Sequence, residues 1–402
     1  MMDQILVLLK QWLVGWFPPA LQPWVSVVLT VAAILGVFGA LFAVATVFER
    51  KGLGRIQNRY GPNRVGIPFT NIRLAGFGQP MADGIKALIK EDFVPATADK
   101  VIHFLAPLAL LAPVTLTFAV LPYGRNMAPI DLDAGLLYFF AVAAGSELAV
   151  FMAGWSSRNK YSLLGAMRAI AQMLSYEIPL ILSSVTVVMT VGSLSLVKIV
   201  QSQDFTLLNA QTGQTSLLPN WFVFTPWGLA GFVLFLIAAT AESNRAPFDL
   251  PEGESEIVAG YFLEYSGFKF AIFFMAEYFE MFAGGAMAAT LFLGGYTAPL
   301  SWLAWIPTWV WFFAKVMAFI FLLIWVRGTI PRLRMDQLMN FAWKFMLPMT
   351  LLNLVVVGLW HFLGTGVARW MVCSALVLGA YAALGRGLAG RKIGRRVYQF
   401  AS

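Results

Sequence analysis

Apolar and polar positions alternate along this chain in long blocks. Apolar runs of roughly 20 residues, each long enough to cross the hydrocarbon of a bilayer, occupy 24–48, 101–121, 136–155, 172–192, 226–242, 270–293, 302–326, 341–361 and 366–386. They predict an all-α polytopic membrane protein with about nine transmembrane helices. Residues 1–23 are apolar, carry Trp12 and Trp16, and break at Pro18-Pro19 without a small-residue cleavage site. They read as an interfacial lead-in and not as a cleaved signal.

Two polar blocks depart from simple connection. Between Pro80 and Asp92, Ala82, Ile85, Leu88 and Ile89 recur at helical spacing against Asp83, Lys86, Lys90 and Glu91. That pattern predicts an amphipathic surface helix. The block 242–269 is acidic: Glu242, Asp249, Glu252, Glu254, Glu256 and Glu264 stand against Arg245 and Lys269. Its apolar stretches Ala246-Pro-Phe248 and Ile257–Leu263 predict that it folds back on the helices, and Asp249-x-x-Glu252 around Pro251 reads as a helix start. The block 193–225 is a polar external connection. The whole chain, 1–402, reads as a single integral membrane domain, with 49–100 and 242–269 as cytoplasmic segments.

Composition agrees: 59% of residues are hydrophobic and 12% charged, too apolar for a soluble domain. The net charge of +8 follows topology. Lys and Arg gather between the first two spans (Arg50, Lys51, Arg55, Arg59, Arg64, Arg73, Lys86, Lys90, Lys100), at Arg158, Lys160 and Arg168, at Arg327, Arg332, Arg334 and Lys344, and in the tail from Arg386 to Arg396. The intervening segments carry chiefly Arg125, Lys198 and Arg369. By the positive-inside rule the N-terminus lies outside and the C-terminus in the cytoplasm, an odd number of spans. The basic charge meets anionic lipid and does not call for nucleic acid.

One cysteine, Cys373, and two separated histidines, His103 and His361, supply neither a disulfide framework, an iron–sulfur cluster nor a metal site. Gly385-x-Gly387-x-x-Gly390 spells a dinucleotide fingerprint but follows a span where a strand is required. No ATP-binding loop or nucleophile elbow is present, so the chain is not expected to bind NADH, carry electrons or catalyse alone.

The chemistry resides in carboxylates. An ionised acid in hydrocarbon costs about 2.5–3.5 kcal/mol on insertion scales, so each needs a partner, water or a proton. Glu147 falls within the third span, Glu177 about one turn into the fourth beside Tyr176 and Pro179, Glu242 at the end of the fifth, and Glu277 and Glu280 at i, i+3 on one face of the sixth. A single such acid is ordinarily neutral and bonded to a neighbouring helix. Five of them, continuing into the acidic loop, predict a proton path. Arg50 beside Glu49 and Arg327 are candidates to balance that charge or meet a polar ligand. Lys315, one turn after Trp311 in the seventh span, is the one residue suggesting an antiporter.

The motifs Glu49-Arg50, Gly61-Pro-Asn-Arg-Val-Gly66, Gln79-Pro-Met-Ala-Asp83, Lys90-Glu-Asp92, Ser146-Glu-Leu-Ala149, Lys160-Tyr-Ser-Leu-Leu-Gly165 and Ser175-Tyr-Glu177 carry a resemblance. It continues in Ala241-Glu242, Ala246-Pro-Phe-Asp-Leu-Pro-Glu252, Glu264-Tyr-Ser266, Met275-Ala-Glu-Tyr278 and Pro331-Arg-Leu-Arg-Met-Asp-Gln-Leu338. From about residue 40 to 350 the chain resembles the H subunit of bacterial NADH–quinone oxidoreductase (respiratory complex I), counterpart of mitochondrial NADH dehydrogenase subunit 1. The last span and tail carry no such motif.

The resemblance implies a multi-pass inner-membrane subunit joining the membrane and peripheral arms, with 49–100 and 242–269 facing the latter. Quinone is then the substrate, flavin and iron–sulfur clusters belong to soluble partners, and this chain supplies the chamber entrance. It implies a proton connection through Glu147, Glu177, Glu242 and Glu264, to which the residue pattern adds Glu277 and Glu280. It places Glu252, Glu254 and Glu256 at the quinone chamber, with Glu49, Arg50, Asp83, Asp249, Phe273 and Arg327 as further chamber candidates. Two alternatives stay open, the membrane anchor of a nickel–iron hydrogenase or formate hydrogenlyase, and a cation/proton antiporter.

Overall fold

A computed structural model describes residues 5–66, 73, 75–204, 219–249, 259–364 and 366–389. The described residues form helices and connecting turns. Eight helices are long and apolar enough to cross a membrane: Gln22–Ile56, Lys100–Val120, Gly135–Ser156, Lys160–Val191, Gly267–Phe292, Thr308–Thr329, Met335–Phe362 and Val367–Arg386. Pro226–Glu242, apolar and 17 residues long, is shorter. Together these match the nine apolar runs, and the protein is an all-α polytopic membrane protein.

In chain order, α1 is Ile5–Val14, α2 Gln22–Ile56, α3 Gln79–Ile89 and α4 Lys100–Thr117. The third span is α5 Gly135–Ala143 and α6 Gly145–Ser156, followed by α7 Lys160–Val191, α8 Leu196–Ser202, α9 Pro226–Glu242 and α10 Gly267–Phe292. Then come α11 Thr308–Thr329, α12 Met335–Phe341, a π-helical turn Ala342–Met346, α13 Leu347–Phe362 and α14 Val367–Ala389. The helix α3 is the amphipathic element, with Met81, Ile85, Leu88 and Ile89 exposed. The short helix α8 lies in the polar block after the fourth span.

Two helices outrun their apolar stretches. At 1.5 Å per residue the 32-residue α7 is about 48 Å long, against hydrocarbon of about 30 Å. Hydropathy registers the bilayer, whereas the hydrogen-bonded helix continues through Lys160 and Arg168. Glu177 consequently sits near the middle of α7 and not one turn from its start. The 35-residue α2 likewise carries Glu49 and Arg50 into its last two turns.

Local chemistry sets the ends. Asp99 caps α4 by accepting from the amides of Val101 (3.2 Å) and Ile102 (3.3 Å). Asn159 caps α7 through the amide of Tyr161 at 3.0 Å, and Thr225 caps α9 ahead of Pro226, accepting from Gly228 at 3.1 Å. Gly192, with φ +73°, ends α7 in the left-handed region.

The central helix is α10, buried along most of its length. Phe38 of α2 stacks on Phe118 at 3.9 Å between centroids, and both meet Phe279 of α10. Small residues let neighbouring helices approach closely. A Cβ on Gly154 would stand 2.3 Å from that of Ala166, which brings α6 against α7.

Candidate functional site

Glu277 and Glu280 share a face of α10 but belong to different clusters. Glu277 accepts from the Tyr261 hydroxyl at 3.4 Å and faces Arg245 at 4.0 Å. Arg245 also lies 3.7 Å from Glu49 and stacks over the ring of Tyr278 at 4.0 Å. Glu49 in turn accepts from the Tyr278 hydroxyl and from Arg327. Two arginines thus meet two carboxylates where the ends of α2 and α11, the middle of α10 and the turn after α9 converge. Glu49, Arg245 and Glu277 are each at most 7% exposed. Buried ion pairs of this kind add little net stability but fix one arrangement, because removing a single partner strands a charge.

One turn further along α10, Glu280 bonds the Ser146 hydroxyl of α6. It borders a small cavity with Glu242, Thr117 and Ser243. Glu242 stands within electrostatic reach of Glu280, Glu177 and Glu147, and Glu147 of Glu177. All four are half-buried, and Glu147 and Glu177 adjoin the exposed residues Leu148 and Ile178. The structure therefore brings Glu147, Glu177, Glu242 and Glu280 together in the bundle and sets Glu277 apart, on the arginine side.

Glu264 joins neither cluster. It accepts from Asn159 Nδ2 at 2.7 Å, and its backbone carbonyl lies 3.3 Å from His103 Nε2. The His103 ring stacks on Tyr265 at 4.0 Å. Burial pushes the Tyr265 phenol up to about 12, partly offset by its hydrogen bond with Ser156, so it stays protonated. Phe273 is fully buried and packs edge-on against Tyr265 and between Tyr261 and Phe262.

The remaining candidates sit in the connections. Arg50 pairs with Asp83 at 2.6 Å, tying the end of α2 to α3, and Gln79 holds Asp83 at 2.9 Å. Gly76, at φ +83°, turns beneath Pro62, whose carbonyl oxygen would lie 1.9 Å from an added Cβ. That close approach packs the turn before α3 against the Gly61–Gly66 segment. Asp249 is buried and pairs with Arg332 at 2.8 Å. Glu252, Glu254 and Glu256, and with them the helix start around Pro251, lie outside the described residues.

Three site residues escape the sequence pattern. Arg245 stands as one base among loop acids; the available signal is its place directly after a span ending in a carboxylate, where a counter-ion is required. Tyr278 has only its adjacency to Glu277. Gln172, in the middle of α7, lies 2.7 Å from the carbonyl oxygens of Ala241 and Phe248 and 3.2 Å from Asn244 Oδ1, and it pins the turn that carries Arg245.

Lys315 has a structural task. Its ammonium donates to the carbonyls of Leu293 (2.6 Å), Gly295 (2.8 Å) and Thr297 (2.8 Å) and lies 4.2 Å from the Trp221 ring. Those acceptors surround the C-terminus of α10, where the helix dipole favours a cation. Three donors meet three carbonyls, which uses the ammonium's full capacity.

Comparison with known proteins adds the family. Residues 29–358 match the family model described as NADH dehydrogenase. A protein of Dehalococcoides mccartyi strain CBDB1 is 48% identical over 322 residues, covering 79% of this chain and 83% of its own. One of Geobacillus kaustophilus is 46% identical, covering 82% and 93%, and one of a Janthinobacterium species is 41% identical, covering 89% and 98%. All three are named as the H subunit of NADH-quinone oxidoreductase. The fold, the motif order and these similarities agree, and the chain belongs to the H-subunit family of NADH–quinone oxidoreductase.

Proposed function

We propose that this chain is the inner-membrane subunit that links quinone reduction to proton translocation in a proton-pumping NADH–quinone oxidoreductase. Soluble partners carry the flavin and iron–sulfur clusters, and other membrane subunits continue the proton path. The observation that carries this reading is α10: one turn separates Glu277, in the two-arginine cluster, from Glu280, among the intramembrane acids.

In this reading the segments 49–100 and 242–269 face the peripheral arm and form the chamber entrance. Glu49, Arg50, Asp83, Asp249 and Arg327 line it, and Glu252, Glu254 and Glu256 of the acidic loop belong to the same chamber. Phe273 supports that wall from behind by fixing the aromatic layer of Tyr261, Phe262 and Tyr265. Reduction of quinone to quinol takes up two electrons, supplied by the partners, and two protons.

Charge lost from Glu49 or Glu277 changes the pull on Arg245, and the altered field acts on Glu280 one turn away. From there Glu242, Glu177 and Glu147 carry the response across the bundle to its half-exposed edge, while Glu264 anchors the loop. The saturated bonding of Lys315 favours a helix cap over an antiporter's carrier lysine.

The test is the assembled complex carrying Glu242→Gln or Glu254→Gln. Quinone reductase activity and proton pumping are expected to fall together while assembly is intact. Undiminished pumping in both variants would overturn the relay. The purified subunit alone is expected to oxidise no NADH.

A further inference from the structure

One cleft of the described residues is lined by none of the carboxylates discussed above. It has a volume of about 930 Å³ and runs between α9, α11, α12 and the last helix, α14. Its walls are apolar, built by Leu236, Phe248, Leu322, Val326, Phe341 and Leu384. Four polar side chains border it, Thr240 on α9 and Gln337, Asn340 and Lys344 along α12 and the π-helical turn. Lys344 is exposed and hydrogen-bonds Asn340, which leaves two of its three ammonium donors for a ligand. Among the described residues, no acid lines the cleft.

We propose that this cleft binds one anionic diacyl phospholipid, with its acyl chains against the apolar walls and its phosphate at Lys344 and the two amides. Three observations carry it. The wall chemistry matches acyl chains, and the charged group among the described lining residues is a cation at the polar border. The π-helical turn Ala342–Met346 interrupts the α-helical register where Lys344 must reach that border; such turns recur at functional sites. The enclosed volume suits chains thinner than a helix: a cylinder about 10 Å across would fill it within roughly two turns, less than a membrane segment requires.

The lipid would also touch the turn that carries the site. Pro247 and Phe248 line the cleft, Gln172 holds the Phe248 carbonyl, and the Leu333 amide donates to the Pro247 carbonyl at 3.1 Å. A filled cleft therefore supports the segment between Arg245 and Asp249 from behind.

The assembled complex is reconstituted into phosphatidylcholine liposomes containing a photoreactive phosphatidylglycerol, illuminated, and its labelled peptides are mapped by mass spectrometry. Label is expected on the peptides of Leu236, Leu322 and Leu384. It falls about fivefold in K344Q and is weaker with photoreactive phosphatidylcholine. A383W, which fills the cleft, removes it. Because Lys344 is exposed, K344Q keeps the test decisive should A383W fail to assemble. Absent label, equal labelling by the two lipids, no response to K344Q, or displacement by added quinone would each overturn the proposal. The readout is independent of quinone reductase activity.

Discussion

The guanidinium of Arg245 lies 4.0 Å over the ring of Tyr278, and both are buried. A stacked arginine keeps its in-plane edge for charged partners, and here Glu49 and Glu277 face it as ion pairs at 3.7 and 4.0 Å. Replacing Arg245 by Met takes the facing cation from buried Glu277 and one of two from Glu49, a loss of about 3–5 kcal/mol. Arg245→Lys keeps the charge but not the planar stack. Thermal denaturation of the assembled complex should rank wild type above R245K and R245K above R245M; equal stabilities would remove Arg245 from the centre of the cluster.

Glu277 and Glu280 test the division along α10. In assembled complexes, E277Q is expected to raise the KM for quinone, because it unbalances the arginine cluster. E280Q is expected to lower kcat and pumping with KM unchanged. Identical kinetic profiles would show that the two acids act as one group.

Lys315 distinguishes a cap from a carrier. Lys315→Met leaves three buried carbonyls without their donor, each worth roughly 1–3 kcal/mol, so the yield of assembled complex should drop. The fraction that assembles should pump in proportion to its quinone reductase activity. Full assembly with pumping lost would instead mark Lys315 as part of a proton route.

Arg50 and Asp83 are both substantially exposed, so their ion pair contributes at most about 1 kcal/mol. Arg50→Ala should leave thermal stability nearly unchanged while weakening the hold on α3 and raising the KM for quinone. A pronounced stability loss at unaltered KM would place the pair in the scaffold and not at the entrance.

Gly76→Ala puts a Cβ into the Pro62 carbonyl and a non-glycine residue at φ +83°. Limited proteolysis of the complex should cut the 61–78 segment faster in this variant. Unchanged cleavage would show that the turn adapts.

The sequence by itself determined the spans, the amphipathic α3, and the acids placed inside hydrocarbon, because each follows from local hydropathy or periodicity over one or two turns. It also carried the family, through motifs of contiguous residues from Glu49 to Leu338. The extent of α7 was hidden, because hydropathy registers the bilayer while the helix follows its own hydrogen bonds. The tertiary structure alone decided which charges meet. Glu49 and Arg327 are 278 positions apart, and no pattern in either segment encodes the other. Glu277 and Glu280 look equivalent at i, i+3, yet the packing around α10 gives one Arg245 and the Tyr261 hydroxyl and the other a serine and further acids. Pairing of this kind is set by helix packing in three dimensions, where small residues such as Gly154 and Ala166 fix how close the backbones come.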